Sequence, residues 1–198
     1  MTTTRGPYAK GVARKQEIIE VALELLAVGG LRQSTLDEIA KRVGITRPGL
    51  LHYFGSREAL LTAVLEERDR RDIAHGIGVG VTGMGVTETM DEVLLHSLRS
   101  PGLARLFTIF AAEATDEDHP AHAFFRGRYQ RIRTMIEEGI RAEQDGGVID
   151  RGVDPGPAAQ QILAVLDGLQ LQWLLDPGLD PRTALRTSMI VLLPAPRT

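Results

Sequence analysis

Cysteine is absent from the 198 residues. That excludes a disulfide framework, a thiolate nucleophile and any cysteine-ligated metal centre, and it fits a reducing compartment. The stretch from Met1 to Lys10 is polar and has no apolar signal-peptide core. No run of residues approaches the roughly 18 apolar positions that a membrane helix needs. These absences lead us to expect a cytoplasmic protein. Sustained strand alternation between hairpin turns is also missing, and the chain has no excess of positive charge, with a formal net charge of −3.

The length allows one good-sized domain or two small ones. Hydrophobic residues at 43% and charged residues at 25% describe an ordinary globular protein. The charge is unevenly spread. Residues 1–57 carry nine Lys or Arg against five acids, and the remainder carries 14 against 21. A basic reading head on an acidic body has this pattern, as does a merely solvated face.

Helical periodicity dominates, and about nine helices are expected. The first spans Val12 to Val28, with Ile18, Ala22, Leu25 and Leu26 on one face. Thr35 reads as the cap of a second helix, with Glu38 at the capping-box spacing, and Gly44 ends it after about two turns. Thr46 reads as the next cap, with Pro48 in the first turn, where a missing N–H costs nothing. Leu50 and Phe54 point inward on that third helix. Ser56 caps a fourth from Arg57 to about Ile73. Gly76 to Thr87, with five glycines and no charge, reads as a link and a boundary. No strand precedes it and it lacks a GK[ST] ending, so it is not a phosphate loop. Five further helices are expected, at about Glu88–Ser100, Leu103–Ala114, Pro120–Gln144, Pro157–Leu175 and Pro181–Leu193.

Two short amphipathic helices joined at Gly44 have the spacing of a helix-turn-helix, whose second helix enters the major groove. Two helices joined at a glycine also occur in ordinary bundles. Under the first reading, Thr35 and the amide end of its helix face a phosphate. Thr46, Arg47, Pro48, Gly49, His52 and Tyr53 lie on the second helix, away from Leu50 and Phe54. Arg47 can reach guanine edges or phosphate, Tyr53 can donate to phosphate, and Arg57 can pair with the backbone.

The stretch TLDEIAKRVGITRPGLLHYFGSREALLTAV resembles the N-terminal domain of the TetR family of transcription regulators. It has the capped T-x-x-x-I-A helix, the Gly-Ile-Thr turn, the His-Tyr-Phe ending and the Ser-Arg-Glu-x-Leu start of the next helix. The match runs from about Arg14 to Leu65. Leu51 stands where the family often has Tyr, so the phosphate contact commonly made there does not carry over. Gly49 lacks the small side chain often found at its position.

The resemblance implies an all-α protein, with a three-helix DNA-binding domain over residues 1–57. The helix 57–73 would be the connector, and 74–198 a helical ligand-binding and dimerisation domain. It also implies a homodimer with reading heads roughly 34–36 Å apart on a palindromic operator, and a small-molecule effector that acts by moving the fourth helix. The dimer bundle would use the last two helices, through Ile162, Val165, Leu166, Leu169, Leu185 and Met189, with intramolecular core as the alternative for this stripe. Met90, Leu94, His96, Phe107, Phe110, Phe124 and Trp173 are the candidate pocket lining, each with plain core packing as the alternative.

His119 and His122, near Asp116, Glu117 and Asp118, read as a solvated acidic turn rather than a metal site. Arg126, Arg128, Arg131 and Arg133 read as surface ion-pair partners. No catalytic triad, acid/base pair or cofactor motif is found, so no cofactor is expected. The expected function is a ligand-responsive DNA-binding regulator, most simply a repressor. The alternatives are a helical small-molecule-binding protein or enzyme with an incidental helix-turn-helix-like core, and a protein that coats DNA without sequence preference.

Overall fold

The computed structural model describes residues 7–31, 35–74 and 83–196. Among these residues there are nine helices and no strand. They are α1 (Pro7–Gly29), α2 (Thr35–Val43), α3 (Arg47–Phe54), α4 (Arg57–Ala74), α5 (Val86–Leu98), α6 (Pro101–Glu113), α7 (His122–Asp145), α8 (Pro155–Leu175) and α9 (Pro181–Leu192).

Proline sets many of the starts. It occupies the first or second position of α1, α3, α6, α8 and α9, where its fixed φ suits the helix and no intrahelical donor is lost. Two of the expected boundaries move for this reason, α6 beginning at Pro101 rather than Leu103 and α8 at Pro155 rather than Pro157; α1, expected from Val12, is already helical at Pro7, the first described residue. Asp154 caps α8 by accepting from the Gly156 N–H, and Asp180 caps α9 by accepting from those of Arg182 and Thr183. Most of the glycine-rich link, residues 76–82, lies outside the described residues, and its last two positions are already helical in α5.

The core has two parts. One gathers α1 to α4 with α6 and the start of α7, around Ile18, Leu26, Ile39, Leu50, Leu60 and Phe110. The other joins α5, α7, α8 and α9 around Met90, Ile136, Ile140, Ile162, Leu185 and Met189. Helix α6 fastens the first part together, because Gly102 lets it lie backbone to backbone on the end of α1. A Cβ at Gly102 would sit 2.8 Å from the Gly30 Cα.

Two buried carboxylates are closed by arginines, one between helices and one within α4. Asp91 on α5 receives Arg182 and Arg186 of α9 at 2.6 and 2.7 Å. Arg182 holds its carboxyl below the usual range, and Arg186 adds to the effect. Glu67 on α4 is pulled down to about 2, first by Arg70 and then by Arg71. No described helix is long and apolar enough to cross a membrane.

Candidate functional site: a reading head and a polar cavity

The reading head is built by local rules. Gly44, at φ 75°, turns the chain out of α2, and Ile45 N–H bonds the Ala40 carbonyl at 2.9 Å. Arg14 of α1 donates to the Val43 carbonyl at 2.6 Å, fixing the end of α2. The Thr46 hydroxyl accepts from Gly49 N–H at 3.2 Å, so Thr46 caps α3 as expected. A Cβ on Gly49 would lie 3.2 Å from that hydroxyl, so glycine leaves the cap room.

Leu50 faces the core, and Leu51 and Phe54 pack partly against it. Leu51 is thus engaged with the core. Thr46, Arg47, Pro48 and His52 are exposed, and Gly49, Tyr53 and Arg57 are half-buried. Thr35 is buried as the first residue of α2. The position before it, where a cap would sit, is outside the described residues. Arg47 reaches Asp37 only at 3.5 Å, with both side chains about half exposed. Such a pair holds weakly and leaves the guanidinium available.

A cavity of about 120 Å³ lies where the two halves of the core meet. Of the residues expected to line it, Met90, Leu94, His96, Phe107 and Phe124 do so. Phe110 and Trp173 do not. Phe110 is turned against the His119 ring, with centroids 5.3 Å apart, and Trp173 lies one turn beyond Gln170, past the cavity's end.

The charged wall was not anticipated. Helix α4 contributes Arg68, Asp69 and Asp72, α7 contributes Arg128 and Arg131, and α8 contributes Asp167 and Gln170. Arg128 and Arg131, expected as surface residues, hold Asp69 at 2.9 and 2.5 Å. His96 meets Asp72 at 2.9 Å and Arg68 meets it at 3.6 Å. Burial pulls the Arg68 guanidinium below its usual pKa, against the pull of Asp72. Ser97 donates to the Gln170 side-chain carbonyl, whose amide donates to Thr108 at 3.0 Å. One sequence signal was available for part of this wall: Asp167 is the sole charged residue in the 21 of α8.

The apolar stripe expected at a dimer contact is divided. Ile162, Leu166, Leu185 and Met189 are buried in the chain's own core, and Val165 and Leu169 pack partly against it. Ile162 and Leu185, with no accessible area, have nothing left to present to a second chain. The apolar residues facing outward on these helices are Leu171, Leu175, Ile190 and Val191, exposed by 45% to 79%.

His122 bonds the Ala114 carbonyl at 2.9 Å while His119 packs on Phe110. Among the described residues no group of three His, Asp or Glu side chains is placed to hold a metal ion.

Comparison with known proteins agrees with this architecture. The family model of bacterial regulatory proteins of the tetR family matches residues 18–64. The model of the BetI-type transcriptional repressor C-terminal region matches residues 85–192, more than half of the chain. The HTH-type transcriptional regulator SrpR of Pseudomonas putida is 26% identical over 169 residues, covering 83% of this chain and 75% of its own. The reduced form of E. coli NemR superposes with a TM-score of 0.71 at 16% identity, over 93% of this chain and all of its own. A transcriptional regulator from Saccharomonospora viridis, solved with choline, gives 0.69 at 23% identity, over 91% of this chain and 96% of its own. These matches, together with the capped helix-turn-helix and the all-helical body, show that the chain belongs to the TetR family of DNA-binding transcription regulators.

Proposed function

We propose that this protein is a homodimeric repressor, which binds a palindromic operator in the cytoplasm and leaves it when a small molecule fills the cavity. It is not an enzyme. Residues 1–57 form the DNA-binding domain, the helix 57–73 connects, and 74–198 bind the effector and the second protomer. Thr46, Arg47, Pro48, Gly49, His52 and Tyr53 face the groove, while Arg57 and the start of α2 at Thr35 meet the backbone. Leu171, Leu175, Ile190 and Val191 meet their counterparts across the twofold axis.

The observation that carries this reading is the course of α4. Its first half packs Leu60 and Leu61 into the core shared with α1 and α2, and its second half walls the cavity with Arg68, Asp69 and Asp72. A molecule that rearranges those pairs pushes on a rod anchored in the reading head. It need only bind the displaced state better to shift the equilibrium between the two.

Genomic fragments captured by the purified chain and then footprinted test this directly. The expected result is a twofold footprint with half-sites about one helical turn apart, preferred over bulk DNA by about 10³-fold or more. Retention of every duplex alike would favour a DNA-coating role. A strictly monomeric protein that ignores all duplexes at low salt would overturn the proposal.

A further inference from the structure

The polar half of the cavity sets three arginines against three aspartates. Asp69 is closed by Arg128 and Arg131, and Asp72 faces Arg68 and His96. The third carboxylate balances the third arginine in charge but is in direct contact with none of the three. Asp167 accepts a hydrogen bond from the Tyr129 hydroxyl at 2.6 Å through Oδ2. No ion-pair partner stands against it among the described residues. Burial pushes its carboxyl above the usual range, opposed by that hydrogen bond and then by the more distant Arg128 charge. The Tyr129 phenol is also pushed up, chiefly by burial and then by the Asp167 charge, so it keeps its proton and remains the donor.

A carboxylate accepts about four hydrogen bonds, and buried charges ordinarily have a partner. Placing one in the middle of an otherwise uncharged helix, facing a cavity, works against stability. A leucine there would extend the apolar wall at no such cost. What Asp167 lacks is a cationic donor in direct contact, which a ligand can carry in.

The aromatic residues narrow the class of cation. A quaternary ammonium is recognised by open ring faces arranged around it. Here Arg128 already sits 4.8 Å from the centroid of the Phe107 ring. Phe124 is engaged edge-on with Phe125, with centroids 5.1 Å apart at 71°. What the site offers is a hydrogen-bond acceptor rather than a cage.

Taking the cavity as the effector site, as proposed above, we infer that its ligand is a small amphiphile with a protonated amine bearing at least one N–H. The amine docks on Asp167, and the hydrocarbon lies along Met90, Leu94, Phe124 and Met135. The ammonium donates to the free Asp167 oxygen while Tyr129 holds the other, giving a charge-assisted bond in a place sheltered from water.

Calorimetric titration of the purified full chain at pH 7 tests this with four probes sharing one chain length: hexylamine, hexyltrimethylammonium, hexanol and hexanoate. Hexylamine should bind at least about tenfold tighter than each of the others. Asp167→Asn should remove that advantage while leaving hexanol unchanged, and Tyr129→Phe should reduce it in part. Equal or tighter binding of the quaternary, neutral or anionic probe overturns the inference, as does unchanged hexylamine affinity in a folded Asp167→Asn variant. If that variant does not fold, the wild-type ranking decides alone. Operator release measured in parallel separates this from the regulator reading. A chain that binds hexanol or hexanoate and drops its DNA loses the amine assignment and keeps the regulator. A chain that binds none of the four also loses the amine assignment, and its regulator role then rests on the footprint.

Discussion

Gly102 on α6 lies against the carbonyl oxygen of Leu26, so closely that a Cβ would collide with it and come within 2.8 Å of the Gly30 nitrogen. Backbone on both sides leaves no flexible side chain to yield. Gly102→Ala should therefore pry α6 from α1 at a cost of about 1–3 kcal/mol, the usual range for overpacking. For a chain of this size that lowers the melting temperature by about 3–10 °C. Differential scanning calorimetry reads the shift, and an unchanged melt would mean that the α1–α6 junction slides freely.

Arg47→Ala should weaken operator binding by about 1–3 kcal/mol if the guanidinium meets a guanine edge. Tyr53→Phe should cost about 1 kcal/mol for one lost hydrogen bond. Neither should alter the melt appreciably, because the Arg47–Asp37 pair is long and exposed. Fluorescence anisotropy on labelled operator, repeated at several salt concentrations, separates the roles. A lost phosphate contact reduces the salt slope by about one, whereas a lost base contact relaxes sequence preference.

Acid should weaken the fold through Glu67 and Asp91. Glu67 is held at about 2 in the folded chain against 4.5 ordinarily, and Asp91 is also depressed. Lowered carboxyl pKa values stabilise fully above the unfolded values, and that stabilisation drains away as pH falls through the folded ones. Urea unfolding should show a steady loss of stability from pH 4.5 toward 2. Glu67→Gln should be less stable at pH 7 and should decline less steeply over that window. Parallel acid limbs for the two proteins would remove Glu67 from the account.

Leu175→Glu and Ile190→Glu should each halve the mass seen by light scattering while circular dichroism stays native. Both positions are largely exposed in the single chain, by 79% and 73%. Ile162→Glu is the contrasting control. That position is fully buried, so the variant should fail to fold rather than dissociate.

The head was legible in the sequence because its signals are local. Thr46 and Gly49 form a cap three residues apart, and Gly44 turns the chain where its position between two amphipathic runs says it should. Five apolar or half-apolar cavity residues were also legible, since inward helical faces can be read from periodicity. The charged wall was not, because pairs such as Arg128 with Asp69 span 59 residues of sequence and meet only because the fold brings α4 and α7 to the same cavity. Ile162 and Leu166 show another limit of periodicity. An apolar stripe looks the same whether its own chain or a second copy covers it, and here its own chain covers both residues.

Gln170 and Leu171 are neighbours on α8, yet one closes the cavity and the other faces outward. Changing what the protein detects by altering α8 therefore disturbs the outer surface of the same rod, whose pose both sides share. Met90, Phe124 and Met135 sit on walls without that double duty. Redesign of the response, by evolution or at the bench, has its freest ground there, and α8 is the wall to leave alone.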